Sequence, residues 1–153
     1  MLKYKYILVA LIAFTLLGTG CRKSNYLIEP DSLVIRDNGA GIGNITLEKG
    51  KKYILEGKVF VNDGQVLTIE PGAVIRFRQG AGTGASALIV ARGGKIMAEG
   101  TAVNPIIFTA ESDELDGNLG ETASGLWGGV ILLGAATINS PTGEAHIEGI
   151  SLS

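Results

Sequence analysis

Five carboxylates crowd the segment ESDELDGNLGE at residues 111–121: Glu111, Asp113, Glu114, Asp116 and Glu121. Hard oxygen ligands at this density are the kind that hold Ca²⁺. The spacing is not that of an EF-hand loop, because Leu115 stands at the third ligand place counted from Asp113. A solvated loop excursion is the plainer reading, and a Ca²⁺ or ligand-binding loop the sharper one. Trp127 is the sole tryptophan, flanked by Gly125, Gly128 and Gly129. Its ring suits stacking on a sugar, or packing at an edge of the fold. His146 is the only histidine, so a Ser–His–Asp triad would have to use it, and no nucleophile motif lies nearby. Glu48 and Glu70 occupy matching places before a turn glycine, which predicts carboxylates stacked at a corner. Gly80 to Ala85 fits G-x-G-x-x-A after a strand-like VIRF, but the LIV that follows reads as strand where a dinucleotide site needs a helix. Gly39 to Gly43 fails the same pattern at Asn44. No catalytic residue is assigned.

The one cysteine, Cys21, follows an apolar run of 11 residues, Ile7 to Leu17, that begins after Lys3 and Lys5 and ends in Gly18-Thr19-Gly20. Basic start, short apolar middle and small residues before a cut are the anatomy of a secretory signal. A membrane span needs roughly 20 apolar residues, more than this run supplies. With cysteine at the cut, residues 1–20 look like a bacterial lipoprotein signal. That resemblance implies lipidation of Cys21 as the first mature residue, and so a membrane partner through a lipid anchor. Gly18 departs from the family's preference for a large aliphatic residue three places before the cysteine. Residues 21–32 are polar, contain Pro30 and read as the lipidated N-terminus and a flexible tether.

The remaining chain is long enough for one domain with a real core. Without residues 1–20 it carries 15 acids against 11 basic residues (13 less Lys3 and Lys5), which excludes a strongly basic nucleic-acid binder. Residues 36–95 carry nine Lys/Arg against five acids, whereas residues 96–153 carry eight acids and no Lys or Arg. Twenty-three glycines, 6% aromatics and 46% hydrophobic residues suggest many short strands joined by tight turns.

From residue 45 the chain repeats. ITLEKGKKYIL (45–55) aligns with LTIEPGAVIRF (67–77) at an offset of 22, matching Thr46 to Thr68 and Gly50 to Gly72. LTIEPGAVIRF aligns with LIVARGGKIMA (88–98) at an offset of 21, matching Leu67 to Leu88 and Gly72 to Gly93. VILLGAATIN (130–139) falls on LIVARGGKIM at an offset of 42, placing Val130 on Leu88. A period in this range with β-rich units predicts a solenoid. Within it Ala73, Ile75 and Phe77 form one apolar face, and Pro71-Gly72 and Gly93-Gly94 are expected at equivalent corners.

The PG corner at 71–72, GTAVNPIIFTA at 100–110 and WGG at 127–129 together resemble a family of right-handed parallel β-helix surface proteins, exported or lipid-anchored in gram-negative bacteria. The resemblance covers about residues 45–150 and implies a fold and an extracytoplasmic location. The expected architecture is all-β, a right-handed parallel β-helix of about four rungs over 45–153, with 33–44 as an N-terminal cap. The last residues, HIEGISLS, read as a strand without a cap. They suggest either the N-terminal part of a longer protein or an open C-terminal rung covered by association.

The expected function is a non-enzymatic cell-envelope lipoprotein, a scaffold for adhesion or glycan binding, lipid-anchored at the outer membrane with its facing open. Its partners would be a polysaccharide or an envelope protein. One alternative is a polysaccharide-active enzyme, a lyase or hydrolase, whose catalytic residues lie partly beyond Ser153. The other is a fragment without function. Ca²⁺ is the one cofactor weighed.

Overall fold

A computed structural model describes residues 32–147. Cys21, the signal, the tether up to residue 31 and the stretch from residue 148 lie outside the described residues.

Ten short strands follow one another: β1 (Ser32–Arg36), β2 (Ile45–Leu47), β3 (Lys52–Glu56), β4 (Lys58–Val61), β5 (Val66–Ile69), β6 (Val74–Phe77), β7 (Ala87–Val90), β8 (Lys95–Ala98), β9 (Ile107–Ala110) and β10 (Val130–Leu132). Apart from one 3₁₀ turn at Gly82–Gly84, no helix occurs among the described residues. All pairings are parallel. The strands form three sheets, β1-β3-β6-β9, β10-β7-β4 and β2-β5-β8, here called A, C and B. The chain visits A, C and B in turn and rises by one strand spacing per circuit, which is a parallel β-helix.

Alternation along each strand builds the core. β3, β4, β5 and β6 each alternate half-buried and buried residues. Tyr53, Ile75 and Phe108 share one inward column, and Leu55, Phe77 and Ala110 the next. Val59, Val61, Leu67, Ile69, Ala73, Ile75 and Phe77 are all at most 2% exposed. Each such large side chain removed from water stabilises the fold by about 1.5–3 kcal/mol. The expected Ala73–Ile75–Phe77 face is this inward face.

The first repeat offset is correct and the second is not. Ile45 pairs with Leu67 and Thr46 with Thr68, as the offset of 22 predicts. Leu67, however, pairs with Ile96, and Leu88 lies beside Val59 in another sheet. The offset of 21 therefore laid a sheet B segment over a sheet C segment. Gly72 and Gly93 mark different corners: Gly72 follows β5, whereas Gly93 sits one rung above Gly64, whose N–H bonds the Gly93 carbonyl at 3.2 Å. Both corners use a glycine at positive φ, +86° and +84°, which is why they look alike in sequence. Val130 does pair with Leu88, but as one rung with a large insertion and not as two rungs of 21. Ile138 lies in no strand.

The longest insertions fall at the corner from sheet A to sheet C, and a shorter one lengthens the corner from sheet B to sheet A at residues 99–106. Gly57 alone makes that corner between β3 and β4; residues 78–86 make it on the next rung, and residues 111–129 on the one above. The glycine-rich run at 80–85 and the acidic segment are thus stacked excursions at one corner. Gly57 N–H donates to Ser86 Oγ (3.0 Å), and its carbonyl accepts from Ala87 N–H (3.0 Å), tying the first two corners together.

Residues 33–44, expected as the N-terminal cap, hold most of β1 and lie on the first described rung. β1 pairs in register with β3, so Leu33 and Ile35 stand beneath the buried Tyr53 and Leu55. The glycine run 39–43 closes the sheet C side around Asp37. The Asp37 carboxylate accepts from the N–H groups of Gly39 (2.7 Å), Gly41 (3.0 Å) and Phe60 (3.1 Å). Ile42 N–H bonds the Phe60 carbonyl at 2.9 Å.

Candidate functional site

Register decides which polar residues meet. Arg36 pairs with Glu56, and the next positions of the following rungs are Arg78 and Glu111. Backbone bonds carry the ladder that far: Arg78 N–H to the Leu55 carbonyl (2.9 Å) and Glu111 N–H to the Phe77 carbonyl (2.8 Å). The column Arg36–Glu56–Arg78–Glu111 alternates in sign over four rungs. Arg36 grips Glu56 with two bonds, Nε to Oε1 at 2.7 Å and Nη2 to Oε2 at 2.8 Å. Arg78 sits between the carboxylates, 3.1 Å from Glu56 and 3.3 Å from Glu111. Like charges at this strand spacing would repel, and alternation turns the stack into mutual attraction. The hydrogen bond from Arg36 holds the Glu56 carboxyl below the usual carboxylate range, with the charges of Arg36 and Arg78 adding to it against partial desolvation.

The acidic segment joins this patch. Arg76, only 14% exposed in its side chain, approaches Glu114 at 3.7 Å, and Arg78 takes Glu111. Asp113 accepts from Thr109 Oγ1 (2.5 Å) and from Leu115 N–H (2.9 Å), and these bonds lower its pKa. Asp116 accepts from the backbone and side-chain N–H groups of Asn118 at 2.9 and 2.6 Å, with the same effect. Glu121 is exposed. Four of the five carboxylates are thus occupied by arginines or by their own turn. Among the described residues no group of three His, Cys, Asp or Glu side chains is placed to hold a metal ion.

Glu48 and Glu70 follow the paired Leu47 and Ile69 at one corner, as expected, and take different partners. Glu48 reaches Lys51 at 2.7 Å, while Glu70 accepts from Lys49 N–H at 2.9 Å. Trp127 lies over Phe77, ring centroids 4.0 Å apart and planes inclined by 16°. One face of the indole is therefore spent on the core. The room exists because the position above Phe77 in the column is the small Ala110.

A cleft of about 950 Å³ lies on the outer flank of sheet C. Phe60, Asn62, Asp63 and Arg92 form one wall, and the segment 132–147, with Glu144 and His146, the other. Arg92 Nη1 bonds Glu144 Oε1 at 2.6 Å and ties the walls together. The far wall is shaped by its own bonds, Ser140 Oγ to the Glu144 carbonyl (2.7 Å) and Ile138 N–H to the Gly143 carbonyl (3.1 Å). An aromatic ring beside amide, carboxylate, guanidinium and imidazole groups is the mixed lining that small polar ligands use. His146, expected on a partly exposed strand, is exposed on a stretch without strand structure. Phe60, Asn62, Asp63 and Arg92 were missed from sequence. The apolar outward place of Phe60 between Val59 and Val61 was the one signal that could have drawn attention to this flank.

The stacked parallel sheets, rung-wise register and corner insertions define a parallel β-helix protein. A family model described as pectate-lyase like beta helix domain matches residues 39–152, and the chain belongs to that family. No curated protein and no solved structure matches it.

Proposed function

We propose that this protein is a non-enzymatic cell-envelope lipoprotein whose β-helix binds polysaccharide in the cleft between sheet C and residues 132–147. The observation that carries the reading is the lining of that cleft, an aromatic face with hydrogen-bonding groups of both kinds. The family description supports a polysaccharide-related role. The signal-like residues 1–20 and Cys21 support a lipid anchor at the outer membrane of a gram-negative bacterium. A rigid solenoid on such an anchor would present its flank to extended polymers, with strands repeating every 4.8 Å or so. The test is affinity electrophoresis of the full chain in detergent through gels containing single polysaccharides. Retardation by one polymer, lost in Phe60→Ala and in Arg92→Ala, is expected. Equal mobility in every gel overturns the reading.

A second reading, a polysaccharide lyase or hydrolase, is favoured by one observation. Arg76 and Arg78 share the outer face of sheet A with Glu56, Glu111 and Glu114, bringing acids and bases from separate rungs together. Release of new reducing ends or unsaturated products from the retained polymer would establish it.

A further inference from the structure

We infer that the cleft on sheet C takes uncharged polysaccharide and rejects polymers of uronic acids, and that Asp63 is the residue that discriminates. The inference rests on this cleft being the polysaccharide site, and it adds the class of polymer. Asp63, Arg92, Glu144 and His146 are the titratable side chains among the described lining residues. Arg92 and Glu144 cancel, since Nη1 and Oε1 lie 2.6 Å apart. Asp63 is exposed, and among the described residues it has no hydrogen-bond or ion-pair partner. Its side chain lies against Gly93 on the rung above, where a methyl group would collide with the carboxylate. The glycine leaves the carboxylate its place. Arg92 precedes that glycine in the chain, yet its guanidinium is committed to Glu144.

An unpaired carboxylate beside an aromatic ring suits sugar hydroxyls. It only accepts hydrogen bonds, and each hydroxyl can donate one. Phe60, half-buried, offers its ring to the apolar C–H face of a pyranose, and Asn62 adds an amide. A uronate carboxylate finds no such welcome. Arg92 is the only Lys or Arg among the described lining residues. To reach it, a uronate would have to displace Glu144, which would then join Asp63 as a second unpaired carboxylate. A like charge left unpaired is how a site separates two polymers of equal shape.

Affinity electrophoresis of the full chain in detergent tests this at about pH 8, above the range in which an imidazole takes up a proton. The gels hold soluble starch, galactomannan or a mixed-linkage β-glucan, each before and after oxidation of its primary hydroxyls to carboxylates. The wild-type chain is expected to be retarded by at least one parent polymer and about fivefold less by the oxidised form, the effect of one unit charge at close range in water. Added salt should narrow that difference. Asp63→Asn keeps the side chain's shape and an acceptor oxygen, and is expected to bind both forms alike. Its retention by the parent polymer shows that selectivity was lost and not the fold. Glu99→Gln removes the same charge at the exposed corner between β8 and β9, and is expected to reject the oxidised polymer as the wild type does. A wild-type chain held as well by the oxidised polymer as by its parent overturns the inference and leaves the cleft reading standing. So does an Asp63→Asn chain that still rejects the oxidised form, or a Glu99→Gln chain that accepts it. No retardation in any gel overturns both.

Discussion

Gly94 shows how little freedom a β-helix corner leaves to a single residue. A methyl group there would meet the carbonyl oxygens of Val61 and Asn62 on the rung below, which are backbone and cannot rotate away. Gly64, one rung beneath Gly93, has open space around it, and only its φ of +75° resists a side chain. Gly94→Ala should therefore destabilise by about 1–3 kcal/mol through overpacking. Gly64→Ala should cost about 1 kcal/mol, from left-handed strain alone. Urea denaturation of the two variants checks the order. Trp127 offers a second test at this scale. Removing its indole uncovers Phe77, so Trp127→Ala should lose about 2 kcal/mol, below the loss for a fully buried tryptophan. Trp127→Phe should recover part of that loss, because it keeps a ring over Phe77.

At the scale of elements, the charged column is a consequence of register. Arg36, Glu56, Arg78 and Glu111 are far apart in sequence, and parallel pairing without slippage brings them onto one line. A one-residue slip in any strand would turn these side chains inward and the core outward. The column also sets a pH dependence. Glu56 has a lowered folded-state pKa, so its contribution is present above its unfolded value near 4.5 and is lost as pH falls through the folded value. Thermal melting should drop below about pH 4.5 in the wild type. In Glu56→Gln the melting temperature should be lower at neutral pH, and its further fall on acidification should be shallower. Curves with the same acid dependence would place the titration elsewhere, with Asp113 and Asp116 the next carboxylates to examine.

For the whole molecule, successive circuits lengthen chiefly at one corner: a single glycine, then a glycine-rich loop, then the acidic excursion. Loop growth at fixed strand register costs little, since closure entropy rises only slowly with length. The acidic excursion is held by Arg76, Arg78 and Thr109, and among the described residues no three of its carboxylates converge on one point. Adding Ca²⁺ to about 1 mM, a concentration typical of weak extracellular sites, should therefore leave the melting temperature unchanged. A rise of several degrees would mean that the loop rearranges to bind the ion.

The β-helix itself was legible in the residues. Alternation in VIRF, turn glycines after each strand and the offset of 22 between Thr46 and Thr68 are local signals, and local signals survive in a linear text. The rung assignment of residues 88–98 was not, because two different corners use the same glycine geometry and only hydrogen bonding tells them apart. The acidic segment could be seen, but not the arginines that occupy it, since Arg76 and Arg78 reach it only once β6 lies under β9. The cleft was hidden for the same reason. Its walls, Asp63 with Arg92 and Glu144 with His146, belong to separate circuits of the chain. What depends on neighbours along the chain was determined by the sequence alone; what depends on neighbours across rungs was decided by the coiling, because a solenoid brings residues together by circuit and not by distance in sequence.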